Sequence, residues 1–120
     1  MAEAVVEGIR KAGGEPTLFR ADSFGVSDVA GYDAFAFGCP AMGDEILEED
    51  TFEPMFSAVE GSLGGKKVLL FGSYDWGDGQ WMREWVERTS GDGAEVVDSA
   101  IAHLDEIDSG AIDVASAKLI

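Results

Sequence analysis

Two short runs without a polar residue, Ala34-Phe35-Ala36-Phe37 and Val68-Leu69-Leu70-Phe71, constrain this chain more than anything else in it. A strand with one face in water alternates apolar and polar side chains. A run without alternation fits a strand covered on both faces, as in parallel sheets. Each run stops at a glycine, Gly38 and Gly72. Between them Phe52, Met55, Phe56, Val59 and Leu63 recur at i, i+3, i+4, i+7 and i+11, an amphipathic helix closed by Gly64-Gly65. Buried strand, helix and buried strand in that order require a crossover connection, and crossovers of this kind are right-handed.

The rest of the chain repeats the alternation. Val5, Ile9 and Ala12 share one face of a helix from Ala2 to Ala12, with Gly13-Gly14 as its stop. Thr17-Leu18-Phe19 is a short strand candidate, and Asp22 to Gly31 is polar and irregular. After the turn Gly77-Asp78-Gly79, the residues Trp81, Met82, Trp85 and Val86 mark the inner face of another helix. Glu95-Val96-Val97 opens a last strand that continues through Ala100-Ile101, and residues 109–120 carry a weaker helical pattern. The expected architecture is an α/β open parallel sheet with helices on both faces, in a single domain spanning 1–120. A chain of 120 residues with 46% apolar content can bury a core of that kind.

Charge and the rarer residues narrow the function. The 24 Asp and Glu against 8 Lys and Arg leave a formal charge of −16, spread along the chain. Such a field repels nucleic acid and anionic membrane surfaces, and favours a partner protein with a basic face. One cysteine, Cys39, allows no internal disulfide and suits a reducing, cytoplasmic setting. With His103 as the one histidine, no structural zinc site can be built. Cys39 reads as a small buried filler and His103 as a surface residue. No apolar run approaches the ~20 residues of a membrane span, and the N-terminus has no signal-peptide character.

Ligands of open parallel sheets sit beyond the carboxyl ends of the strands. The loops in that position are Gly38-Cys39-Pro40-Ala41-Met42-Gly43-Asp44-Glu45 and Gly72-Ser73-Tyr74-Asp75-Trp76-Gly77-Asp78-Gly79. The first combines a polarisable apolar side chain, a conformationally free glycine and two carboxylates. The second sets two aromatics among glycines just past a buried strand. A flat aromatic ligand between Met42 and Trp76 would account for both. So would a Trp76 folded over the sheet end with Met42 filling a gap. Trp81 and Trp85, at helical spacing, read as core, and Asp78 as a cap on the following helix.

These two loops, at this separation, resemble those of the short-chain flavodoxins of anaerobic bacteria. The likeness runs from Met1 to about Ile101 and is looser afterwards. It implies a one-electron carrier with non-covalently bound FMN, without substrate turnover and without a catalytic acid or base. By that resemblance Met42 covers the inner face of the isoalloxazine and Trp76 the outer face. The Gly43 carbonyl turns to accept a hydrogen bond from N5–H of the one-electron-reduced flavin, with Asp44 following it in the turn. Glu45 accepts from N3–H, and the backbone of Asp75 reaches the pyrimidine carbonyls. Ala41, Ser73, Tyr74 and Gly77 complete the cofactor-binding set. Stacking and nearby carboxylates disfavour further negative charge on the flavin and depress its second reduction potential. Asp75 is a departure, since close relatives often carry glycine there.

A larger departure lies at the front. Members of the family begin with an apolar strand and a Ser/Thr- and Gly-rich phosphate loop, whereas Met1-Ala2-Glu3-Ala4-Val5-Val6-Glu7-Gly8-Ile9 matches the helix that follows. Without the loop, FMN would lose the backbone N–H nest for its phosphate and bind more weakly. Without the strand, four strands are expected, and the Phe35 strand has an apolar edge. The Thr17 strand could move in to pair with it, two chains could pair or exchange edges as a homodimer, or the gene could start upstream. The main alternative is a flavin-free fragment or interaction module that keeps the fold alone. A phosphorylatable receiver domain shares the architecture, but Cys39-Pro40 follows the Phe35 strand and no lysine follows Val97.

Overall fold

The alternation of buried strands and amphipathic helices is realised in a computed structural model that describes residues 2–39, 50–74, 79–103 and 108–120, with the backbone alone for Tyr74 and His103. Helix α1 spans Ala2–Lys11, a 3-10 turn Ala21–Ser23, and the single helical turn α2 Val26–Val29. Then come β1 (Ala34–Gly38), α3 (Phe52–Val59) with a 3-10 extension Glu60–Ser62, β2 (Lys67–Tyr74), α4 (Gln80–Gly91), β3 (Glu95–His103) and α5 (Ser109–Ala117). The three strands form one parallel sheet in the order β1-β2-β3. Ala34 stands opposite Lys67 and Gly38 opposite Phe71, while β2 pairs with β3 from Lys67–Glu95 to Tyr74–His103, with a bulge between Val68 and Leu69.

Strand alternation divides the interior into two cores. Phe35, Phe37, Val68 and Leu70 point to one face, where Phe52, Phe56 and Val59 of α3 and Trp81, Met82 and Trp85 of α4 cover them. Leu69 and Phe71 point to the other, beneath Val5 of α1 and Ile112, Ala115 and Leu119 of the α5 region. The expected open sheet with helices on both faces is therefore present. Phe52, Phe56 and Trp85 meet as edge-to-face and stacked rings 5.4–6.0 Å apart, a geometry that aromatic quadrupoles favour. Trp81 and Trp85 are core residues as expected, each 2% exposed, and Cys39 is buried at the end of β1.

Helix ends follow the glycines. Gly13 beyond α1 and Gly65 before β2 both take positive φ, +96° and +76°, which a side chain would disfavour. Asp108 caps α5, its Oδ1 accepting from the Ala111 N–H at 3.1 Å. At α4 the N-cap is Gly79, at φ +86° and without a side-chain cap; Asp78, expected to cap this helix, lies outside the described residues.

Two local expectations differ. The sheet has three strands among the described residues rather than four: residues 14–20 are neither helix nor strand and do not pair with β1. Ring contacts take the place of a backbone ladder here. The Phe19 ring packs edge-on against Phe24 and Tyr32 at 5.1 and 5.9 Å, and both of those rings pack in turn on Phe35 of β1. The polar stretch after Asp22 also contains more order than its composition suggests. In α2 the Asp28 carboxylate accepts from the Gly25 N–H at 2.9 Å, and Val29 is buried.

Candidate functional site

At the carboxyl edge of the sheet β1 and β2 end in close backbone contact. Gly38 pairs with Phe71, and the Cys39 N–H donates to the Phe71 carbonyl at 3.1 Å, so the chain leaving β1 runs one residue further along β2. Two glycines make this approach feasible. A Cβ on Gly38 would overlap the Phe71 ring, and one on Gly72 would overlap the Cys39 carbonyl oxygen. Glycine is the residue type that leaves such space free. As a result residues 40–49 depart from β1 directly beside the last residues of β2, from which residues 75–78 depart in turn.

Gly79 closes the far side of this edge. Its left-handed backbone turns the chain into α4, and its carbonyl accepts from the N–H groups of Met82 and Arg83 at 3.1 and 3.3 Å. A Cβ there would also come within 3.0 Å of Cδ1 of Ile101, which is 45% exposed near the end of β3. Three strand ends thus share one rim, with glycines wherever the main chain must come close.

Of the residues expected to hold cofactor, Ser73 is half-buried near the end of β2, and the backbone of Tyr74 is its last strand residue. Ala41, Met42, Gly43, Asp44, Glu45, Asp75, Trp76 and Gly77 lie outside the described residues. The structure brings together the points from which the two loops start. It also identifies positions that motif reasoning passed over: Gly72 and Gly79 act through backbone space, and a glycine at a strand end is a weak signal until the neighbouring carbonyl is known. A flat ring needs an edge free of intervening side chains with main chain on either side, and the glycine-lined rim fits that need.

The charged cluster that shows shifted ionisation stands elsewhere, between the last turn of α4 and the two ends of the α3 region. Arg88 Nη1 donates to Glu53 at 2.8 Å and Arg88 Nε to Glu60 at 3.0 Å, and the guanidinium lies 5.0 Å from the Phe56 ring centre. Hydrogen bonding to Glu60, then to Glu53, raises the Arg88 pKa still further above its ordinary range despite partial burial. Hydrogen bonding from Arg88 in turn holds the Glu60 carboxyl below the usual glutamate range. Burial, followed by hydrogen bonding with Glu60 and then the Glu60 charge, pushes Asp92 the other way. With Glu53 in the first turn of α3 and Glu60 just past its end, this cluster ties α4 along the length of α3.

Comparison with known proteins agrees with this geometry. The flavodoxin family matches residues 1–118. The flavodoxin of Clostridium beijerinckii is 40% identical over 113 residues, covering 94% of this chain and 82% of that protein. The flavodoxin of Megasphaera elsdenii is 44% identical over 103 residues, 86% of this chain and 75% of that protein. The solution structure of two-electron reduced Megasphaera elsdenii flavodoxin superposes with a TM-score of 0.87 at 38% identity, covering 99% of this chain and 88% of that one. No helix among the described residues is long and apolar enough to cross a membrane. The chain belongs to the flavodoxin family of FMN-binding electron carriers.

Proposed function

We propose that this chain carries single electrons on an FMN held at the carboxyl edge of the sheet, between the loop after Cys39 and the loop after Tyr74. The observation that carries the proposal is the seating of Cys39 against Gly72, which starts both loops from one point on the rim. In this reading Met42 covers the inner face of the ring and Trp76 the outer face, so water is excluded from both. Glu45 accepts from N3–H, the Gly43 carbonyl from N5–H, and the Asp75 backbone serves the pyrimidine carbonyls. Ala41, Asp44, Ser73, Tyr74 and Gly77 complete the two walls.

Bound FMN supplies the one-electron redox chemistry. The chain surrounds it with negative charge, Asp44, Glu45 and Asp75 within a net −16, and so opposes a second added electron. No residue acts as a catalytic acid or base, and there is no substrate to turn over. The electron partner is a protein with a basic face, met in a cytoplasm that keeps Cys39 reduced. A reductive titration of the FMN-loaded chain, followed by absorbance, tests the proposal. Two separate one-electron steps are expected, the second at lower potential than in free FMN. A single two-electron step like that of free FMN, or a failure to load, contradicts it.

A further inference from the structure

Strand β3 pairs with β2 on one side and has no strand partner on the other among the described residues. It runs for nine residues, Glu95–His103, and an exposed edge of that length is a template on which another chain can pair. The register shows which of its main-chain groups face outward. The Phe71 carbonyl accepts from Cys39 on the β1 side, so the neighbouring residues Leu70 and Gly72 turn theirs toward β3. Leu70 stands opposite Ser99 and Gly72 opposite Ile101. A parallel ladder engages the residues flanking each partner, which leaves the N–H and C=O of Ser99 and Ile101 directed at the open edge. The Ser99 N–H is not free there. Asp98 Oδ1 accepts it at 2.8 Å, while Asp98 Oδ2 accepts from Lys118 Nζ, at the C-cap of α5, at 3.0 Å. The carboxylate is thus fixed from both sides at mid-strand, directly after the bulge at which Val97 is passed over in the pairing.

We propose that Asp98 closes the outer edge of β3 against strand pairing with a second copy of this chain. A second copy is the partner that such an edge fits best, because two identical edges meeting about a two-fold axis run antiparallel and complement one another. The flanking residues favour that pairing. Val96 and Val97 are β-branched, and Ile101 is both β-branched and exposed. Asp98 opposes it in two ways. Its bond to Ser99 takes an outward donor from the ladder that the two copies would share. Pairing would also strip water from a carboxylate that Lys118 holds beside the edge. A bulge and a fixed charge at an open edge are devices by which sheets avoid association, and here one side chain combines the charge with a direct block of the main chain. Neither Asp98 nor Ser99 belongs to the proposed flavin site, and the test involves no flavin.

Asp98→Val is the test, with Asp113→Val as its matched control. Asp113 is also paired with a lysine, Lys11 at 3.1 Å, and its side chain is 34% exposed against 31% for Asp98, but it lies on α5. Each variant loses one negative charge and one ion pair. Sedimentation velocity is run in about 1 M salt, where screening shortens to about 3 Å and the net charge of −16 does not mask pairing. The parent chain and Asp113→Val are expected to remain monomeric. Asp98→Val is expected to form a dimer, with self-affinity at least about tenfold above that of the parent. Amide exchange at Ser99 and Ile101 should slow as the concentration of Asp98→Val rises. Asp98→Thr, a second strand-favouring replacement, should behave in the same way, and circular dichroism checks the fold of each variant. Folded Asp98 variants that stay monomeric, equal association of Asp113→Val, or a dimer that leaves the β3 amides unprotected would overturn the proposal. So would a parent chain that already dimerises through β3.

Discussion

Gly72 is where a single hydrogen in place of a methyl group decides how the rim is built. Its missing Cβ lies where the Cys39 carbonyl oxygen sits, and backbone on that side has little room to yield. Gly72→Ala is expected to destabilise the chain by about 1–3 kcal/mol, the usual range for overpacking. Flavin affinity should fall with it, because the start of the first loop moves. Gly61→Ala is the matched control: nothing lies within 4 Å of its Cβ position, so urea unfolding should show a change of less than about 0.5 kcal/mol. Equal effects at the two positions would remove Gly72 from the account. This site role could not be read from sequence, because glycine at a strand end signals freedom without saying which backbone uses it.

Between elements, the Arg88 cluster ties α4 to the α3 region. Glu60→Gln should lower stability at pH 7 by on the order of 1 kcal/mol, since it removes a charge-assisted partner from a guanidinium 30% exposed. Glu60 is held below its ordinary value, so the contribution is complete above the unfolded glutamate pKa of about 4.3 and is lost as pH falls through the folded value. Melting curves of the two proteins should therefore converge in acid. Asp92 has the opposite sign: its raised pKa means that the ionised form costs stability above the unfolded value, so Asp92→Asn should raise the melting temperature at pH 7. Asp108→Ala, which removes the α5 cap, should cost about 1 kcal/mol by denaturant titration. At this scale the sequence was most legible where burial controls pattern. The two uninterrupted apolar runs became β1 and β2, and the i, i+3, i+4 stripes of α3 and α4 became the faces of one core. It was least legible at residues 14–29. There the fate of Thr17-Leu18-Phe19 depends on rings contributed by Phe24 and Tyr32, and one carboxylate, Asp28, orders a turn within polar sequence. Of the candidate site, the origin of both loops at the carboxyl edge was foreseeable from strand order alone, while the close approach of Cys39 to Gly72 depends on three-dimensional register.

For the whole molecule, a formal charge of −16 on a 120-residue chain sets how it meets partners. Electron exchange with a basic-faced protein should slow by tenfold or more between roughly 0.01 and 0.15 M salt, as screening shortens from about 30 to about 8 Å; stopped-flow rates indifferent to salt would contradict that mode of docking. The central claim concerns the flavin itself, and titration of the purified chain with FMN, with riboflavin in parallel, tests it most directly. Stacking on Trp76 predicts saturable quenching of flavin fluorescence by the chain for both ligands. Trp76→Ala should abolish most of that quenching. Flavin fluorescence that stays unquenched at every protein concentration, for both ligands, would contradict the account.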